Sequence, residues 1–323
     1  MTTERVRYRS VVADSVRWDG FAFRDGDVVI STPPKCGTTW MQRLVSLLVF
    51  DGPDLPAPIA KVSPWLDMQL APLEDVTALL DAQTHRRFIK THTPLDGLPY
   101  DERVRYVCVG RDPRDVAVST RHHMTNMNIE QFLAARQAAV GLEDLAEFGL
   151  DKPGPRTPQP GDDPLLTWII EDDERTPMSL RSLVRHASTF WAVRQLPNVA
   201  LFHYSDLRSD LAGELHRLAS YLGYDVTAAR AAELARSATF SAMKLDADNV
   251  APNADIGLWH DSGAFFHRGE TGQWRELFTD AHLQRYEQRL AALAPPDLAT
   301  WLHAGSKPEC DERPAVAVDA VTP

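Results

Sequence analysis

Short apolar runs alternate along this chain with longer stretches in which apolar residues recur at helical spacing. Val28-Val29-Ile30 is the first run, rich in β-branched residues and entered from Asp27. Met41, Leu44, Val45 and Leu48 follow at i, i+3, i+4 and i+7, the stripe of an amphipathic helix. Leu73, Val76, Leu79 and Leu80 predict another helix over 72–84. Residues 87–90 predict a second strand, which ends at Thr91-His92-Thr93-Pro94. Residues 104–109 form a third, apolar enough for a strand covered on both faces, and 199–204 a fourth. Helical patterns standing between strands predict an α/β fold, one domain over 1–303 with a central parallel sheet flanked by helices.

Three stretches depart from this rhythm. Residues up to about 25 read as a polar lead-in, with Trp18, Phe21 and Phe23 able to pack across the first strand. Residues 124–177 hold a helical-looking stretch and then the proline-rich run from Asp151 to Pro160. Such an insertion is either a mobile loop or a cover over an acceptor pocket. The segment 304–323 is rich in proline and charge, lacks periodicity and is expected to be disordered.

Composition narrows the classes. The net charge of −11 argues against nonspecific nucleic-acid binding, so an anionic ligand needs a local cluster of basic residues. Cys36, Cys108 and Cys310 are few, odd in number and far apart, giving neither a disulfide framework nor zinc spacing. No apolar run is long enough to span a bilayer and the first residues lack a signal-peptide core, so a soluble cytoplasmic protein is expected.

The candidate chemistry begins directly after the first strand, at Ser31-Thr32-Pro33-Pro34-Lys35-Cys36-Gly37-Thr38-Thr39-Trp40. Strand, tight loop and helix in that order aim free backbone N–H groups and a positive dipole end at one point, an anion site. Lys35 adds a charge, Gly37 permits close backbone approach, and Thr38 and Thr39 add hydroxyls. The loop is P-loop-like but is not a Walker A, because Lys35 precedes the glycine instead of following it. P-K-x-G-T-T-W is similar to the 5′-phosphosulfate loop of sulfotransferases, whose donor is 3′-phosphoadenosine-5′-phosphosulfate (PAPS). The run C-V-G-R-D-P-R-D-V-A-V-S, with Arg111 and Ser119 eight residues apart, resembles the same family's 3′-phosphate motif. By itself it is weak, since Asp112 or Asp115 could simply cap a helix and pair with Arg114. F-F-H-R-G-E-T-G-Q-W at 265–274 resembles the family's late R-K-G-x-x-G-x-W signature. Within the family, F-I-K-T-H-T-P-L-D-G-L and L-P-N-V-A-L-F-H-Y are most similar to bacterial glycolipid sulfotransferases of the actinobacterial type.

The resemblance implies a role for each matching residue. Lys35, Cys36, Gly37, Thr38 and Thr39 would hold the 5′-phosphosulfate end, and Trp40 would offer a face to the adenine. Arg111 and Ser119 would hold the 3′-phosphate with His267, Arg268 and Gly269, while Tyr204, Phe240 and Met243 would line the adenine pocket. Lys90 and His92 match the family's K-T-H, in which the histidine is the catalytic base. Cys36 stands where serine is commonest, and His267 where arginine is usual. Only a loose echo of the animal dimer segment follows Arg275, so monomer and homodimer both stay open.

Sulfuryl transfer resembles phosphoryl transfer in wanting alignment and charge neutralisation more than covalent help. Lys35 would follow charge on the leaving oxygen, Ser119 would restrain Lys35, and Lys90 would steady the sulfuryl oxygens. His92 would take the acceptor's proton. The adjacent His122 and His123 project differently from a helix and have no suitably spaced third ligand, so no metal is assigned. A small-molecule kinase would need a Walker lysine and an acidic metal ligand, and neither is apparent. A binding protein that had lost the reaction would not need Lys35, Lys90 and His92 together. The expected acceptor is a glycolipid or other hydrophobic alcohol, with a phenolic or steroid-like hydroxyl as the alternative.

Overall fold

The four apolar runs become β1 (Val28–Ser31), β2 (Phe88–Thr91), β3 (Arg105–Gly110) and β4 (Val199–His203) of one parallel sheet, ordered β2-β1-β3-β4. A computed structural model describes residues 5–148 and 163–305. The second and third strands each sit one residue later than the apolar pattern suggests. Pairing sets that register, with Val28 opposite Phe88 and Arg105, and Ser31 opposite Thr91.

Side chains alternate across the sheet, as the two-residue period requires. Val29, Ile89, Tyr106, Cys108 and Leu201 pack into one layer with Leu183, Phe190, Tyr286 and Trp301. Val28, Ile30, Phe88, Val107, Val109 and Phe202 pack into the other with Met41, Leu44, Leu215 and Leu218. Each such side chain contributes about 1.5–3 kcal/mol by leaving water. At the foot of the sheet the buried Arg87 pairs with the buried Asp27, its Nε donating to Oδ1 at 3.0 Å. That bond ties the entries of β1 and β2 together.

Helices fill the crossovers: α1 (Thr38–Val49), α2 (Leu73–Ala82), α3 (Pro113–Asn126), α4 (Ile129–Val140) and α5 (Leu180–Trp191). Their starts are written in the sequence. Asp112 accepts from Arg114 N at 2.9 Å, with Pro113 in the first turn of α3, and Ser179 with Ser182 forms a capping box on α5. From β1 the chain moves first to one side, to β2, and then to the other, to β3. The crevice beyond the carboxyl ends of β1 and β3 is therefore the topological switch point, where open α/β sheets bind ligands.

The lead-in is more than polar. Trp18 is fully buried against Phe21 and Phe23 as expected, but the segment from Tyr8 to Ala13 also lines the cavity described below. Pro64 and Trp65 cover the outer edge of β2, Pro64 O accepting from Lys90 N at 2.9 Å. Of the insertion at 124–177, the structure describes α4 and a helix at Pro164–Ile170. Residues 149–162, with most of the proline-rich run, and the tail 306–323 lie outside the described residues.

Candidate active site

The four strands deliver their next residues to one place. After β1 the chain turns through Lys35 at φ +68° and Gly37 at φ +104°, both in the left-handed region. Gly37 is the N-cap of α1 and has no side chain to satisfy the orphan N–H groups of the first turn, which stay available to an anion. Its backbone angle calls for glycine, and a Cβ there would press on the Tyr204 ring at 3.2 Å. Trp40 is set by its Nε1 donating to Ala238 O at 2.8 Å and stands edge-on to Tyr204 at 5.3 Å.

Three cations meet at this mouth. Arg111, at the end of β3, lies 4.0 Å over the Tyr204 ring and donates from Nη1 to Lys35 O at 2.9 Å and from Nη2 to Glu270 O at 3.3 Å. Its Nε is buried with no partner. Lys35 Nζ sits 4.7 Å over Phe265, and Lys90 Nζ sits 4.3 Å over Trp65. Among the described residues no carboxylate forms an ion pair with Lys35, Lys90 or Arg111, a set that calls for an anionic ligand. Burial lowers Lys35 to about 7, with Arg111 and Lys90 adding repulsion. Burial also lowers Lys90 to about 7.

His92 follows β2 and faces the same cavity. Its Nδ1 is 2.7 Å from Thr32 O, and a carbonyl only accepts, so the proton sits on Nδ1 and the Nε2 lone pair is free. Burial, then the Lys90 charge, holds this imidazole well below its ordinary value. It is therefore neutral at pH 7, and the titration expected near 6.5 moves lower. Trp65 stands edge-on at 4.7 Å. The residues on either side are braced from beneath by the fully buried Asp67, which accepts from Thr91 Oγ1 at 2.7 Å, Thr93 Oγ1 at 2.6 Å and Trp18 Nε1 at 3.0 Å. A second brace runs from the buried His186, 2.8 Å from Ser31 Oγ, which donates onward to Thr93 O at 2.6 Å.

The late motif closes the cradle from the other end of the chain. Asp115 on α3 accepts from Gly272 N at 2.7 Å and Trp274 N at 3.3 Å, so the second motif holds the third. Gly269 has φ +66°, and a Cβ there would lie 2.2 Å from the Phe240 ring. Arg268 is exposed and pairs with Glu276 at 3.1 Å. His267 stacks on His122 with ring centroids 3.6 Å apart.

Lys35, Gly37, Thr38, Thr39, Trp40, Lys90, His92, Arg111, Ser119, Tyr204, Phe240, Met243, His267, Arg268 and Gly269 all line one cavity of about 1080 Å³. Cys36 does not. Its thiol is fully buried in the core beneath the loop and raised to about 12 by that burial, and its N–H goes to Pro33 O. The expectation of Cys36 among the residues that hold the 5′ end is corrected: its side chain packs into the core instead. A second correction concerns Lys35, whose ammonium is not restrained by Ser119. It lies 3.1 Å from Nδ1 of His123, one helical turn further along α3. Trp65, Asp67, His123 and His186 belong to the site and were missed. Only the K-T-H run, with a hydroxyl on each side of the histidine, hinted at the Asp67 brace.

An anion cradle at a strand–loop–helix switch point, a cluster of unpaired cations and a neutral imidazole define a group-transfer enzyme, and the chain belongs to the sulfotransferase family. The sulfotransferase domain matches residues 25–294. The chain is 49% identical over 321 residues to a glycolipid sulfotransferase of Mycobacterium bovis, covering 94% of this chain and 96% of that protein. It is also 49% identical over 320 residues to the Mycobacterium tuberculosis glycolipid sulfotransferase Rv1373, with the same coverage. In fold it is similar to a mouse sulfotransferase solved with PAP, with TM-score 0.64 and 22% identity over 89% of this chain and 92% of that one.

Proposed function

We propose that this enzyme moves a sulfuryl group from PAPS to a hydroxyl of a glycolipid, with His92 as base. The observation that carries the reading is the tautomer of His92: Nδ1 is committed to Thr32 O, and a free Nε2 faces the cavity that Lys35, Lys90 and Arg111 share. The donor supplies an activated sulfuryl group on a phosphate leaving group. The chain's own residues bind, orient and neutralise. The uncapped turn of α1, with Thr38 and Thr39, receives the 5′ end. Arg111, with Ser119, Arg268, His267 and the backbone of Gly269, receives the 3′-phosphate, its buried unpartnered Nε fitting an anion. Trp40, Tyr204, Phe240 and Met243 form the apolar wall for the base.

His92 Nε2 accepts the hydroxyl proton as the oxygen attacks, and Lys90 and Lys35 offset the charge that develops on the transferring and leaving oxygens. The acceptor side of the cavity is built from apolar residues, among them Val12, Met127, Phe132, Leu133 and Leu145. That lining suits a lipid tail, with Trp65 and Trp259 near the reacting end, and the described part of 124–177 contributes to it as an acceptor cover. No described helix is long and apolar enough to cross a membrane. Incubation with 35S-labelled PAPS and a total lipid extract tests the reading. Labelled glycolipid is the expected product, and label confined to water-soluble phenols or steroids would refute the acceptor class.

A further inference from the structure

One imidazole in the cavity has no task in the reaction as proposed. His123 stands on α3, one turn beyond Ser119 and so on the same helix face. Its Nδ1 is 3.1 Å from Lys35 Nζ, its ring is tilted against Trp259 at 4.9 Å, and Phe265, at 6.1 Å from it, also carries Lys35.

We propose that His123 is a positioning residue that holds the Lys35 ammonium on a neutral nitrogen until charge develops on the leaving oxygen. The inference rests on the sulfuryl-transfer reading above. The direction of the bond follows from the inventory of partners. An ammonium carries three protons and accepts nothing, so Nδ1 must supply its lone pair and the imidazole proton sits on Nε2. Burial, then the charge of Lys35 from the loop after β1 and those of Lys90 and His92 from the end of β2, keeps His123 neutral, so with Lys35 donating to Nδ1 its single proton stays on Nε2.

A neutral nitrogen is the useful kind of holder. Charge-assisted bonds to an anionic oxygen are roughly twice as strong as neutral ones. The bridging oxygen of an intact donor carries little charge and does not displace the imidazole, whereas the same oxygen does once its bond to sulfur lengthens. Lys35 then moves its hydrogen bond from His123 to the leaving oxygen, and its contribution is concentrated in the transition state. No proton or electron pair is transferred in this handover. A carboxylate at 123 would hold Lys35 too firmly, and a phenyl ring offers its ammonium no lone pair to donate to.

The test uses the whole chain with [ε-13C]lysine, of which the sequence has six to resolve. In the ligand-free protein, His123→Phe should lower the Lys35 titration by about one pH unit, since a hydrogen bond that favours the ammonium is gone. His123→Asn, which keeps an accepting oxygen, should restore it. With PAPS, His123→Phe should lower kcat by about tenfold or more while the donor Kd stays equal or tightens, because Lys35 then rests on the donor in the ground state. An unchanged Lys35 titration in His123→Phe overturns the proposal. So does joint weakening of donor and acceptor binding with a lowered melting temperature, which would make His123 structural. The titration needs no reaction, so failure of wild-type protein to sulfate any lipid would count against the transfer reading and leave this contact to be judged separately.

Discussion

Donor binding should take up protons, and the amount can be worked from the cavity. Lys35 and Lys90 both sit at about 7 in the ligand-free protein, chiefly because burial penalises their charged forms, with Arg111 and Lys90 also repelling Lys35. A bound polyanion supplies the missing countercharge and raises both values. Well below pH 7 both lysines are charged and affinity is flat. Above it each must be protonated on binding, so Kd rises with pH. A lysine that goes from about 7 to its ordinary value near 10.4 weakens Kd by about 50-fold between pH 7 and pH 9. Partial solvation reduces that recovery, so at least about tenfold in total is expected for the two.

The assay is calorimetric titration with PAP above pH 7.5, where phosphate second ionisations near 6 are complete. Buffers of different ionisation enthalpy count the protons. Lys35→Met should remove up to one proton and flatten the slope accordingly. The free protein should grow more stable between pH 7 and 9, because its unfolded chain holds protons there that the folded lysines do not, and saturating PAP should abolish that trend. A Kd independent of pH over this range, with no proton uptake, would refute the placement of two depressed lysines against the donor.

Other perturbations separate the roles. His92→Ala should lower turnover by about 10²- to 10⁴-fold with donor affinity unchanged, read by steady-state kinetics and PAP calorimetry; loss of PAP binding would make His92 structural. Arg111→Ala should weaken PAP by about 10- to 150-fold and barely affect adenosine 5′-phosphate, and equal weakening of both would assign Arg111 to the fold. Asp67→Ala leaves the hydroxyls of Thr91 and Thr93 and the Trp18 N–H without their acceptor, so unfolding in urea should show about 3 kcal/mol or more of lost stability. A loss below 1 kcal/mol would mean that water replaces the carboxylate.

The sheet was legible because its strands are covered on both faces, so their apolar runs are unbroken, and the one-residue displacements of β2 and β3 reflect pairing partners that no local pattern carries. The donor side was legible for a related reason: the first two motifs are each a strand end plus a helix start, where local chain geometry fixes where residues face, whereas the late motif lies in irregular chain held by Asp115. Cys36 misled because a loop residue can turn either way, and the core under β1 had room for a thiol. His123, Trp65, Asp67 and His186 were illegible singly. Each acquires its role from a surface distant in sequence: His123 from a lysine 88 residues away, His186 from a serine 155 residues away. Asp115 shows both sides of the matter. Its sequence position reads as a helix cap or an Arg114 partner, and in the fold it holds the backbone of the late motif across the mouth of the cavity.

The cavity is assembled from two kinds of parts. Lys35, Lys90, His92, Arg111 and Tyr204 hang from strand ends and helix starts that the sheet's own hydrogen bonds immobilise. Much of the apolar wall opposite comes from Val11, Val12, α4 and the turn around Leu145, none of which belongs to the sheet. Substitutions in that wall leave strand register and the anion cradle untouched. A lineage can therefore exchange one hydrophobic alcohol for another by altering a few outer side chains, while the chemistry is inherited whole. Diversification of acceptors around a fixed reaction is what such an architecture favours.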